Sequence, residues 1–141
     1  MRRTVAMIAA AVSLAACNGA PLTPEAPAIG GEYQLDRAND VAMPGTLAFS
    51  DGVTVTYRPG THLSLANGHY EMVLDYSSRD ANGEQPWVWQ MQGDYAVRGD
   101  TVVLDPNGGD WNGQRVLVHG TELKMAMGGP ADRVREMVFS R

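Results

Sequence analysis

The chain has 141 residues, enough for one domain with its own core once any export segment is set aside. Eleven basic side chains stand against 16 acidic ones, a formal charge of −5, and there is one cysteine. An acidic balance does not suit a phosphate-backbone binder, and a lone cysteine excludes an intramolecular disulfide.

At the amino terminus Arg2 and Arg3 precede residues 4–16, which are uncharged and mostly Ala, Val, Met, Ile and Leu. This is the basic start and apolar core of a secretory signal, shorter than the ~20 residues of a membrane span. It runs into Leu14-Ala15-Ala16-Cys17, which resembles the lipobox of bacterial lipoproteins. The resemblance implies that residues 1–16 are a signal peptide cleaved before Cys17. It also implies a diacylglycerol on the Cys17 thiol and a further acyl chain on the freed amino group. A thiolate is the nucleophile such a transfer needs, and lipidation consumes a thiol that would be a liability in an oxidising compartment.

One acyl chain holds a protein only marginally, whereas two or three make the attachment effectively permanent. Without Arg2 and Arg3 the chain would keep 9 basic and 16 acidic groups, a charge of −7. No basic patch would then assist, and the acyl chains on Cys17 would be the membrane contact. Asn18 stands where an Asp commonly favours the inner membrane, so the expected location is the periplasmic face of the outer membrane.

Residues 17–31 carry Pro21, Pro24 and Pro27, then Gly30 and Gly31, with Glu25 as the one charge. Such a stretch has little to bury and predicts a disordered, extended tether. The domain is then residues 32–141.

That domain shows no helical period. Short alternating stretches are cut by Gly, Asn and Asp, an all-β pattern. Placing Asn67-Gly68 in a two-residue loop sets Leu65 opposite Tyr70 and Leu63 opposite Met72. Leu74 and Tyr76 continue that apolar face, while Ser64, His69, Glu71 and Asp75 fall on the other. Gly99-Asp100, as a Gly-first turn, sets Val97 opposite Val102 and Tyr95 opposite Leu104. Gly120-Thr121 sets Val118 opposite Leu123 and Val116 opposite Met125. An earlier three-residue loop, 50–52, relies on Gly52 for a left-handed position and sets Phe49 against Val53 and Leu47 against Val55.

A strand over 32–36 precedes these hairpins and one over 135–140 follows them. Residues 87–92 run into 94–97, with Gly93 expected at a bulge or bend. A short helical turn is expected near 130–133. The sum is an antiparallel up-and-down meander of eight to ten strands, and closure into a small barrel would remove its edges.

The hairpin from Gly93 to Leu104, with the strand around Leu123 and the terminal Met137-Val138-Phe139-Ser140-Arg141, resembles small lipocalin-like (calycin) domains of bacterial lipoproteins. The resemblance implies a meander barrel that often holds an apolar small ligand, with no catalytic residues. Gly31-Glu32-Tyr33 stands where lipocalins proper carry Gly-x-Trp.

Few side chains invite chemistry. His62 and His69 point outward and His119 adjoins a turn, without metal-site spacing. Arg98-Gly99-Asp100 spells an adhesion tripeptide, but a hairpin turn wants Gly and Asp for geometry. Residues 105–113 offer oxygens that could ring calcium, yet lack EF-hand spacing and read better as an Asx-turn loop. Trp87 and Trp89 share a face with Met91. Core packing is the ordinary role of such residues inside a barrel, and lining a ligand cavity is the sharper one. Tyr70, Met72, Trp87, Trp89 and Tyr95 are the candidate lining set. Trp111, in a polar loop, is a candidate for partner contact or for a lid over the mouth.

No nucleophile, base and orienter assemble from these residues, so an enzyme is not expected. No cofactor or metal is implied. The expected function is an apolar-ligand-binding or structural envelope lipoprotein, monomeric. The alternative is a periplasmic inhibitor of a lysozyme or protease, for which an acidic surface suits a basic enzyme.

Overall fold

The computed structural model describes residues 28–109, 111–127 and 133–141. The expected signal peptide, Cys17, residues 18–27 of the expected tether and most of the turn expected near 130–133 lie outside the described residues.

Eleven strands form one antiparallel sheet, and the described residues contain no helix. They are β1 (Gly31–Ala38), β2 (Val41–Ala42), β3 (Thr46–Ala48), β4 (Thr54–Tyr57), β5 (His62–Ala66) and β6 (His69–Asp80). β7 (Gly83–Arg98), β8 (Thr101–Leu104), β9 (Arg115–His119), β10 (Glu122–Ala126) and β11 (Glu136–Ser140) follow. β5 to β11 pair in chain order. β1 then pairs with β11 on one side and β5 on the other, so eight strands close a barrel. β2 extends β1, while β4 continues the β5 edge along β6 and carries β3 outside it. These three strands lie outside the ring and lift the total above the eight to ten that the sequence suggests.

The local registers are those the turn residues dictate. Leu65 pairs with Tyr70 and Leu63 with Met72 across Asn67-Gly68, whose φ values of 52° and 82° are those of a tight primed turn. Val97 pairs with Val102, Val118 with Leu123 and Leu47 with Val55. β6 and β7 form the longest hairpin, joined at Ala81-Asn82, with Tyr76 opposite Trp87 and Leu74 opposite Trp89. Asn82 N–H donates to Asp80 Oδ1 at 2.7 Å in that turn.

The apolar face of each hairpin turns inward. Leu63, Met72, Val102, Leu104, Val116, Leu123, Met125 and Phe139 are fully enclosed. Each such side chain contributes roughly 1.5–3 kcal/mol by leaving water. The folded part begins before Glu32. Ile29 is buried, and its carbonyl accepts the Tyr33 hydroxyl at 2.7 Å. The Arg141 guanidinium donates to the carbonyls of Ala28 (2.7 Å) and Gly30 (3.0 Å) and lies 4.8 Å from the centre of the Tyr33 ring. The carboxyl-terminal residue thus clamps the entering chain to the barrel.

Because neighbouring ring strands are antiparallel, the start of β1, the end of β11 and the turns at 67–68, 99–100 and 120–121 share one rim. The connections 39–61, 81–82, 105–114 and 127–135 share the other.

Candidate functional site: an aromatic mouth at one rim

The site follows from unequal strand lengths. β7 runs for 16 residues and β8 for four. β8 covers β7 only from Tyr95 to Arg98, after which the chain leaves the barrel wall in the loop 105–114. The wall is therefore open beside the first half of β7, at the rim opposite the one where the chain enters. An apolar cavity of about 460 Å³ occupies this opening.

One side of the cavity is sheet: Val55 and Tyr57 from β4, Leu74 and Tyr76 from β6, and Trp87, Trp89 and Met91 from β7. The other side is loop and rim: Trp111, Met127, Val134 and Arg133, with Met137 of β11 below. Strand alternation aims Leu74, Tyr76, Trp87 and Trp89 at this one space. The Tyr57 and Tyr76 rings meet at 5.6 Å with a 50° tilt. Trp87 is held by its indole N–H, which donates to Ser78 Oγ at 3.0 Å.

Burial raises the pKa of Tyr57 well above that of a free phenol, and the neighbouring Tyr76 adds to the effect. Burial also raises the pKa of Tyr76. Both phenols therefore stay neutral at physiological pH. Among the described residues Arg133 is the one charged side chain on the wall, and it is already engaged: it donates to Asp51 Oδ2 at 2.5 Å and its guanidinium lies 5.9 Å from the Phe49 ring centre. The cavity offers aromatic faces, thioethers and aliphatic carbons, a lining that suits an apolar guest.

Trp111 reaches the cavity because Asp105 holds its loop. Asp105 is 7 % exposed, at φ 47°, and its Oδ2 accepts the Tyr70 hydroxyl at 2.8 Å and the Trp111 backbone N–H at 3.0 Å. The carboxyl sits against Gly93 and Gly109, where an added Cβ would collide with it. Gly93 is therefore not at a bulge. The β6–β7 ladder runs without interruption from His69 to Asp80, and Gly93 is small because Asp105 and the Tyr70 ring fill the space above it. The side chain that could have been a calcium ligand is thus turned into the protein, where it accepts from two protein donors.

The candidate lining residues divide. Trp87 and Trp89 are on the wall, 45 % and 54 % exposed, rather than packed in the core, because the strand that would have covered them ends at Leu104. Trp111 faces them across the opening as part of a rim over the mouth. Tyr70 (2 % exposed) and Met72 (0 %) do not reach the cavity. They lie on the half of β6 paired with β5, where the ring is closed and packed. Tyr95 is half-buried against the core and is likewise absent from the wall. Tyr57, Tyr76, Met127 and Val134 also stand on the wall, and the sequence signals one of them, through the alternation that puts Tyr76 on the face of Leu74.

His62 Nδ1 lies 2.8 Å from the Gly60 carbonyl, His69 Nδ1 lies 2.6 Å from Asp94, and His119 is exposed on β9. Among the described residues no three metal-ligating side chains converge. The Arg98-Gly99-Asp100 tripeptide forms the β7–β8 turn, with Gly99 at φ 62°. Compared with family models, curated proteins and solved structures, the chain finds no match.

Proposed function

We propose that this is a lipid-anchored envelope protein whose barrel mouth binds an uncharged, apolar small molecule. The observation that carries the reading is the pair Trp87 and Trp89, about half exposed on the wall of a 460 Å³ cavity whose lining, among the described residues, is almost wholly apolar. Large aromatic surface is costly to leave in water, and here it lines a concave space rather than a flat patch. The rim arrangement supports the same reading: a tether on Cys17 would attach at one end of the barrel and leave the mouth at the other.

The ligand claim is tested by native mass spectrometry of protein purified from its own envelope, followed by solvent extraction. A co-purified apolar compound is expected. A neutral fluorescent probe such as N-phenyl-1-naphthylamine should also bind and be displaced by the extract. Absence of both signals leaves a structural envelope role. The anchor is tested separately. Labelled palmitate should enter the native chain and not the Cys17→Ala variant, and a native chain that takes up no label and washes from membranes would refute the anchor.

A further inference from the structure

We propose that the free edge of β7 is a self-association surface, through which two copies of the chain pair antiparallel about a two-fold axis near Val88. β6 occupies one side of β7 from Gly83 to Asp94, and β8 occupies the other side only from Tyr95 to Arg98. Among the described residues no strand covers the second side of residues 84–92.

The direction of the backbone groups can be read from two bonds. Tyr95 N–H donates to Gly68 O, toward β6, and Asp94 O accepts from Asp105 N–H, away from it. Backbone groups alternate along a strand, so the even-numbered residues from Glu84 to Gln92 face outward. Pro86 lies on this outward set, where its missing N–H costs the β6 ladder nothing and removes one outward donor from the edge of each copy.

Apart from Pro86, this edge lacks the devices that keep sheet edges apart. It is long, it has no bulge, and residues 85–92 carry no charge. Trp87, Val88 and Trp89 are 45 %, 66 % and 54 % exposed. Glu84, the nearest charge, is occupied by Arg79 at 2.8 Å, whose hydrogen bond holds the carboxyl below the usual carboxylate range.

A second copy fits the edge better than an arbitrary strand because the segment is complementary to itself. With Val88 on the axis, Val88 meets Val88, Trp87 of one copy falls beside Trp89 of the other, and Glu84 meets Gln92 rather than another acid. A chain of charge −5 repels its copy over most of its surface, and this segment brings no like charges together. The contact is isologous and closes at two copies. The apolar side chains would bury on the order of 300 Å² per copy, short of the ~800 Å² of a standard interface, so strand hydrogen bonds must supply the rest and the association should be micromolar. The two aromatic mouths would then meet across the axis. This goes beyond the ligand reading and departs from the monomer expected of the sequence.

The test uses the full chain in mild detergent. Sedimentation equilibrium should give a two-chain mass that dissociates on dilution. Val88→Lys, which sets two ammonium groups on the axis, and Val88→Pro, which adds to Pro86 the loss of the donor on the axis in both copies while leaving the β6 ladder intact, should each give a one-chain mass with unchanged β-type circular dichroism. In a Cys17→Ser background, Val88→Cys should form a disulfide-linked dimer under mild oxidation, and Leu117→Cys, on exposed β9, should not. A native chain that stays single at 100-fold above the micromolar range, or a dimer that both Val88 variants leave intact, overturns the proposal and leaves the edge to a different partner.

Discussion

The Tyr70 hydroxyl donates to Asp105 Oδ2 at 2.8 Å, joining the closed core of the barrel to the loop that forms one side of its mouth. Tyr70 stands on β6 and is 2 % exposed; Asp105 follows β8 and also accepts the Trp111 N–H. One carboxyl therefore holds together a packed strand and a tryptophan on the wall of the cavity. Asp105→Ala should remove the acceptor that both donors share, at a cost of about 1–3 kcal/mol, the scale of one buried group left unsatisfied. Asp105→Asn keeps an acceptor and tolerates the left-handed backbone, so it should cost less than half as much. Urea denaturation checks both, and the Ala variant should also bind the naphthylamine probe several-fold more weakly. Equal stability of the two variants would separate the carboxyl from this role.

Gly93 gives a sharper version of the same test. A Cβ there would sit 2.8 Å from Tyr70 Cε1 and closer still to Asp105 Oδ1. Gly93→Ala should destabilise the fold by about 1–3 kcal/mol through overpacking, although alanine ordinarily suits a strand better than glycine. A neutral or stabilising result in a thermal melt would mean that the glycine serves some other end.

The two classes of apolar residue should separate in mutation. Met72→Ala, in the closed ring, should cost about 2–5 kcal/mol. Trp89→Ala, 54 % exposed on the mouth, should change stability far less. It should nevertheless weaken probe binding about fivefold, the scale of one lost aromatic contact of ~1 kcal/mol. Paired denaturation and fluorescence titrations decide it. Equal loss of stability in both variants would place Trp89 in the core after all.

Burial raises the pKa of Tyr57 most, and it raises those of Tyr76 and Tyr33 as well, with Arg141 opposing the shift at Tyr33. The neutral phenol is the form the fold favours. The stabilisation is therefore complete below the unfolded phenol pKa of about 10 and is lost as pH rises above it toward the folded values. In a titration followed at 295 nm, part of the tyrosinate signal should appear only as the protein unfolds. Tyr57→Phe should flatten the alkaline decline in stability. A native chain whose tyrosines all ionise near pH 10 without unfolding would contradict the burial of these rings.

The pairings across Asn67-Gly68, Gly99-Asp100, Gly120-Thr121 and the loop 50–52 were legible in the sequence because each depends on a few adjacent residues. A turn that needs positive φ sets the register, and the register sorts apolar from polar side chains. The all-β class and an apolar interior follow from the same alternation. Closure through β1 with β5 and β11, the break of one barrel edge into β4 and β5, and the start of packing at Ile29 depended on partners far apart in the chain. The mouth was decided at that level too. Alternation puts Met72 and Trp89 equally on an inward face, but only the mismatch between a 16-residue β7 and a four-residue β8 leaves one sealed and the other open. A local pattern states which side of a strand is apolar. Whether another strand arrives to cover that side depends on lengths and registers accumulated around the whole barrel.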